Sequence, residues 1–357
     1  MSSAAANLSS SNETGTVASR WPRRAAVALV CATFPLIWVG GLVTSYEAGM
    51  AVHDWPTTLG YNMFLYPIGD WLRGPRDVFI EHGHRLLASF VGMLTIGVVL
   101  VFWRCEPRRW VRRLAYATLA AVILQGLLGG LRVIEDKRAM ALVHGCVAQL
   151  FFTLTVTLAA VSSSWWKDAS EALRKETSTA ELARLSSLSL TTALLAYLQV
   201  VLGAVQRHFH QGIVFHLLLA TALTVQIVWL AARVFKTSPR QPQLVRPAVA
   251  LLALIAVQLC LGTAAWVVNH GWPVWFADYD WAAGYVVGAY SHMQIWSTTA
   301  HVAVGALIFA TTWLLALRTL RLRFADNEGL RSASEVSRSS SNESRGSFLV
   351  LVGEGSL

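Results

Sequence analysis

Apolar residues fall in eight long runs along this chain, at about 25–45, 79–103, 112–132, 140–162, 184–206, 212–235, 246–268 and 295–318. A helix needs ~20 apolar residues to cross a hydrocarbon core roughly 30 Å thick, and each run meets that length. Polar residues are confined to the connections and to a few positions near the run ends. The pattern predicts an all-α fold: a polytopic membrane protein of eight transmembrane helices.

Composition agrees. The chain is 55% hydrophobic and 14% charged, with fifteen tryptophans, whereas a soluble domain carries roughly 25% charged residues. The net charge of +9 invites a nucleic-acid reading. Its basic residues, however, sit in short clusters between apolar runs, so membrane lipids are the expected partner and nucleic acid is not. The clusters alternate. One set holds Arg23 and Arg24, Arg104 to Arg113, Lys167 to Arg184, Arg233 to Arg246, and Arg318 to Arg323; the other connections carry fewer cations and more acids. The positive-inside rule then puts both termini in the cytoplasm of a multi-pass inner (plasma) membrane protein. Residues 1–24 show no cleavable leader pattern and read, like 319–357, as disordered cytoplasmic segments. The connection around 269–294 carries Trp272, Trp275, Tyr279, Trp281 and Tyr285, which suit a membrane interface.

Each even-numbered run has a histidine about four to six residues from its start: His84, His144, His216 and His301. At ~1.5 Å per residue, all four should lie at one depth, roughly 6–9 Å below the outer boundary. Facing imidazoles on paired helices can hold a haem edge-on. Zinc would want more donors, normally with thiolate or carboxylate among them, so two separated pairs fit two haems better.

An internal repeat supplies the pairing. The stretches "LQGLLG", "LQVVLG" and "VQLCLG" on the third, fifth and seventh runs share Gln-x-x-Leu-Gly, and the next run carries its histidine each time. The chain then divides into a four-helix half at 25–162, a linker at 163–183 and a second half at 184–318. His84 and His144 belong to the first half, His216 and His301 to the second. The repeat glycines are also explained by close helix approach alone.

The halves differ in one respect. Glu81 stands three residues before His84, on the same helix face, whereas Ile213 and Leu217 occupy the places matching Glu81 and Arg85. Arg85 could pair with Glu81 or with a haem propionate; alternatively both reach up into the headgroups. His53, His82, His208, His210, His270 and His292 read as loop residues near or beyond the outer boundary. No Cys-x-x-Cys-His, phosphate-binding loop, dinucleotide fingerprint or aspartate-rich diphosphate motif is present.

Eight spans, Glu-x-x-His-Arg on the second, one histidine on each even span, "GGLVTSYEAGMAVHDWPTT" after the first and the Gln-x-x-Leu-Gly repeats together resemble the haem A synthase family over about residues 25–318. The resemblance implies oxidation of the C8 methyl of haem O to the formyl group of haem A by successive hydroxylations. It implies that His216 and His301 ligate a haem b cofactor, that His84 and His144 flank the substrate haem with Arg85 beside it, and that Glu81 is the acid/base or stabilising group. It also leaves room for contact with the haem O-forming farnesyltransferase or with cytochrome oxidase assembly factors. Two features depart from the family pattern: the first outer loop lacks the cysteine pair of many bacterial members, and "QRHFHQG" is short. Two readings of other classes stand beside it. A di-haem b-type cytochrome that only transfers electrons explains the histidines but not Glu81. A repeat-built transporter predicts broken helices with polar groups at the midplane.

Overall fold

The computed structural model describes residues 19–168, 178–237 and 241–353, with side chains placed up to Phe324. Among the described residues, eight helices are long and apolar enough to span a membrane: α1 (Trp21–Ser45), α2 (Arg76–Cys105), α3 (Arg109–Glu135), α4 (Arg138–Val161), α5 (Thr179–Phe209), α6 (Ile213–Lys236), α7 (Pro242–His270) and α8 (His292–Gly353, its spanning part His292–Phe324). Among the described residues there is no named strand, and the chain is an all-α, multi-pass membrane protein.

Most helices extend a turn or so beyond their apolar runs. Backbone groups leaving the hydrocarbon are still cheapest to satisfy inside the helix, so polar first turns such as "RDV" of α2 are recruited. Two expectations of disorder are corrected by this. Residues 21–24 are the first turn of α1, led in by Pro22 near its start, where a missing N–H costs nothing. The segment 319–357 is helical as far as Gly353. No proline follows Pro273, so nothing in the backbone forces α8 to stop. The expectations for 1–18 and 354–357 lie outside the described residues. The linker at 163–183 holds a short helix, Ser164–Asp168, and the first turn of α5, with 169–177 outside the described residues.

Helices α1 to α4 pack in a ring, each against the next, and α1 closes on α4. Helices α5 to α8 repeat the arrangement, and the rings meet through α1, α4, α5 and α8. With lipid on the outside there is little hydrophobic drive between helices, so small residues and hydroxyl bonds hold the seam. Ser45 and Thr299 hydroxyls lie 2.8 Å apart across α1 and α8, and Trp313 Nε1 donates to Thr157 Oγ1 at 2.8 Å across α8 and α4; within the second ring, Ser189 and Thr319 lie 2.7 Å apart across α5 and α8. Most other buried hydroxyls donate back to their own helix, as Thr33 does to the Leu29 carbonyl at 2.7 Å.

The connections at the histidine-bearing end are unequal. Asp136 (φ 45°) and Lys137 alone join α3 to α4, and His210 (φ 55°) and Gly212 (φ 81°) turn α5 into α6. The α1–α2 and α7–α8 connections are long and carry short helical turns. In the latter, Trp272, Phe276, Tyr279 and Trp281 pack ring against ring, mostly edge-on or tilted, while Trp275 stays 77% exposed.

Candidate haem site

Each of the four histidines rests on a glycine of a preceding odd-numbered helix. A Cβ built on Gly40 would lie 3.1 Å from His84 Cε1; on Gly129, 3.2 Å from His144 Cε1; on Gly203, 3.1 Å from His216 Cε1; on Gly262, 3.1 Å from His301 Cε1. A side chain at any of these positions would press on the ring, so glycine lets each imidazole lie close against the neighbouring helix. The four glycines sit near the ends of α1, α3, α5 and α7, so the imidazoles share one level by construction. Counting from the helix starts is a poorer guide, because α2 and α8 begin earlier than their apolar runs.

The repeat glutamines take part as well. Gln125 Nε2 lies 3.2 Å from His144 Nδ1 and donates to its carbonyl at 2.8 Å. Gln199 Nε2 lies 3.1 Å from His216 Nδ1 and 3.3 Å from its Nε2, and donates to its carbonyl at 3.0 Å. Gln258 Nε2 lies 3.3 Å from His301 Nε2. Glutamine and glycine are four residues apart, so they share a helix face: the amide and the bare backbone form one cradle for the ring. Sequence reasoning used this repeat to pair the histidines, explained its glycines by helix packing as well, and gave its glutamines no role of their own.

The rings come in two pairs. His216 and His301 face each other with centroids 6.3 Å apart at 67°. In the first ring, His84 and His144 are near enough for their charges to interact. Among the described residues, no three of His, Cys, Asp and Glu gather as a metal cluster. A two-imidazole donor set leaves a zinc ion short of ligands. It fits an iron whose equatorial positions are filled by a porphyrin, which asks the protein for axial ligands alone.

Glu81 lies beside the first pair and is 2% exposed. Its Oε1 accepts from Arg85 at 2.8 Å and its Oε2 from the Val52 N–H at 2.9 Å. Arg85 also donates to the carbonyls of Val52 (2.7 Å), Asp54 (2.7 Å) and Thr57 (2.9 Å). Both side chains are therefore buried under the α1–α2 loop and do not reach into headgroups. Arg85 staples that loop over Glu81, since breaking one partner of a buried pair costs about 3–5 kcal/mol. From α3, Arg132 reaches the same loop. A Cβ on Gly49 would overlap its guanidinium, and its charge interacts with those of Glu81 and Arg85. From α5, Arg207 donates to the Gly41 carbonyl at 2.8 Å and to Ser45 Oγ at 2.7 Å, tying the two rings together beside both histidine pairs. Sequence reasoning counted both arginines among the loop charges, because which helix a terminal arginine leans on is a tertiary fact.

His82 corrects another expectation. It is not a loop residue but part of α2, 2% exposed, boxed by Tyr66 and Trp71 with centroids 5.0 and 5.4 Å away, and 3.2 Å from Thr58 Oγ1. It points into the folded α1–α2 loop, and the histidine pair lies elsewhere. His208 is likewise inside α5, and His292 opens α8.

The loop has its own lock. Leu59 (φ 51°) and Gly60 (φ 82°) make a tight turn closed by Thr58 and Tyr61, and their N–H groups donate to Asp54 at 2.7 and 2.9 Å. Burial pushes the Asp54 carboxyl up, but hydrogen bonds from Thr57, Gly60 and Leu59 outweigh it and hold it at about 2, below the usual 3.8. A depressed folded value means that the lock is complete above the unfolded value and is lost as pH falls through about 2. Hydrogen exchange across 52–62 should therefore be flat from neutral pH to about 4, after correction for intrinsic rates, and rise below it. Asp54→Asn should already show fast exchange at neutral pH; protection equal to wild type would show that the carboxylate is not the lock.

Residues 75–215 match the COX15-CtaA family model, described as cytochrome oxidase assembly protein. The matched stretch contains Glu81, His84, Arg85, Gln125, His144 and Gln199. A Symbiobacterium thermophilum protein named Heme A synthase is 33% identical over 129 residues, covering 35% of this chain and 39% of its own length. A Shouchella clausii protein of the same name is 33% identical over 121 residues, covering 33% and 38%. The chain thus spans about two fifths of the length of these curated relatives. Glu-x-x-His-Arg and the cradled His84 and His144 fall inside the matched stretch, so this part of the chain is similar to the COX15-CtaA family and to proteins named Heme A synthase.

Proposed function

We propose that this protein is a haem A synthase, oxidising the C8 methyl of haem O to the formyl group of haem A by successive hydroxylations. The observation that carries this reading is the asymmetry of two otherwise matched sites. Each half has a glycine-cradled imidazole pair, and only the first has a buried carboxylate one turn from a ligand. In this reading His216 and His301 ligate a haem b cofactor, and His84 and His144 flank the substrate haem. An electron-transferring di-haem cytochrome would use both pairs but has no task for Glu81. The curated relatives carry the name of the oxidising enzyme.

Haem b would supply electron transfer to the site of oxidation. The protein's own groups do the rest. The glycine cradles and glutamine amides hold the imidazoles in place. The folded α1–α2 loop is pinned over Glu81 by Arg85 and buries that carboxylate beside the first pair. Arg85 and the Val52 N–H hold the Glu81 carboxylate from two sides, each using one lone pair of a different oxygen. Each oxygen keeps a second acceptor position, from which Glu81 can take a proton or face positive charge as the methyl carbon is oxidised. Arg85 is a positioning residue here, since its donors are spent on Glu81 and loop carbonyls. Arg132 and Arg207 are the cations best placed for haem propionates.

Co-expression with the haem O-forming farnesyltransferase, followed by haem extraction and mass analysis, tests the reading. Haem A should appear; unchanged haem O with the protein present and folded would overturn it. We also infer that the histidine-bearing end faces outward from a plasma membrane. A reporter after Arg323, or in the 163–183 connection, should read cytoplasmic, and one beside Asp278 external. The reverse pattern would invert the assignment.

A further inference from the structure

Arg108 and Arg318 both enter the fold at the end opposite the histidines, and their partners differ. Arg108 is half-buried and paired: its Nε and Nη2 donate to Glu106 at 2.7 and 3.0 Å, and its Nη2 to the Val161 carbonyl at 2.9 Å. Arg318 is half-buried too, on a stretch of α8 where Leu315, Ala316, Thr319 and Leu322 are all buried. Two contacts fix its guanidinium. Pro247 in α7 has no N–H, so the Gln243 carbonyl one turn earlier lacks its helical donor, and Arg318 Nη1 donates to it instead at 2.6 Å. The Trp165 ring lies under the guanidinium, with its centroid 5.7 Å from Cζ. The charges that act on Arg318 are those of Arg23 on α1 and Arg246 on α7. Among the described residues none of these three arginines has a carboxylate partner.

We propose that Arg318, Arg23 and Arg246 form a binding site for a phosphate group, that of an anionic phospholipid headgroup. The haem reading plays no part in it. A cation drawn into a membrane fold is expensive and normally meets a counter-charge; Arg108 has one, whereas the neighbours of Arg318 are two further cations. A guanidinium carries five N–H donors. The Gln243 carbonyl engages only Nη1, which leaves donors for a two-pronged contact with phosphate oxygens. Arg23 and Arg246 stand near the starts of α1 and α7, and the N-terminal dipole ends of those helices favour an anion as well. Position selects a lipid. Helices α1 and α7 begin there because their apolar spans do, which places the three cations at headgroup level, and basic pockets between membrane helices take anionic headgroups. A lipid held there joins α1 of the first ring to α7 and α8 of the second, where the rings meet through α1 and α8.

Native mass spectrometry and thermal unfolding of the delipidated full chain in non-ionic detergent test this, with phosphatidylglycerol, phosphatidylcholine and inorganic phosphate as probes. Phosphatidylglycerol should add a tightly held molecule to each chain and raise Tm; phosphatidylcholine and millimolar inorganic phosphate should do neither. Arg318→Gln keeps an N–H for the Gln243 carbonyl and removes the charge. It should weaken phosphatidylglycerol binding roughly 10- to 100-fold, the worth of one charged hydrogen bond. Replacing the exposed Arg23 and Arg246 together by Gln should weaken it roughly 5-fold for each cation removed. Arg113→Gln removes an exposed cation at the same end of α3 and should change nothing. The proposal is overturned if Arg318→Gln binds phosphatidylglycerol like wild type, or if Arg113→Gln weakens binding as much, since the attraction would then belong to the whole basic surface. Equal binding of phosphatidylcholine would overturn the need for an anion, and stabilisation by inorganic phosphate alone would overturn the lipid. Should Arg318→Gln fail to fold, the Arg23 and Arg246 double variant decides, and undiminished binding there overturns the proposal.

Discussion

Glu81→Gln is expected to fold, to keep its b-type spectrum and to make little haem A, with haem O or a partly oxidised haem accumulating. The substitution keeps the shape of the side chain. Its amide oxygen can still accept from Arg85 or the Val52 N–H, and Arg85 retains its three loop carbonyls, so the loop should stay docked. What is lost is the negative charge and the proton acceptor. Acid/base assistance is worth roughly 10²–10⁴-fold in rate, and the fall in haem A formation should lie in that range. The matching control is Ile213→Gln, at the equivalent place before His216, which should leave product formation intact. Haem A made by Glu81→Gln at the wild-type rate would show that the carboxylate only braces the loop.

Loss of the cofactor should be the larger spectroscopic effect. If the proposed assignment holds, His216→Ala or His301→Ala is expected to remove most of the reduced low-spin b-type absorbance, because each takes away one of the two proposed ligands, whose rings face each other with centroids 6.3 Å apart. Gly203→Leu makes the same point without touching a ligand. A Cβ there already comes to 3.1 Å from the His216 ring, so a bulky side chain must push the imidazole off its cradle. It should lower haem content without changing helix content by circular dichroism. Unchanged spectra in both histidine variants would move the cofactor out of the second half.

Hydrophobic length along the chain determined the eight spans, because the bilayer demands it of any helix that crosses. Counting determined the four histidines and their alternation, and the i,i+4 spacing of Gln125 with Gly129 already put both on one helix face. Which ring that face meets was decided by tertiary structure: the cradle forms between α3 and α4 only once the helices close into a ring. The same limit hid His82, whose surroundings come from Thr58, Tyr66 and Trp71 in a loop that folds back over α2. It hid Arg85 as well. Its neighbour Glu81 was visible as a turn-mate, but its other partners are backbone carbonyls, which carry no residue signature in a sequence. Local spacing can say which groups share a face. Only the packed fold can say what that face touches, because contacts between helices depend on the rotation and tilt of both partners.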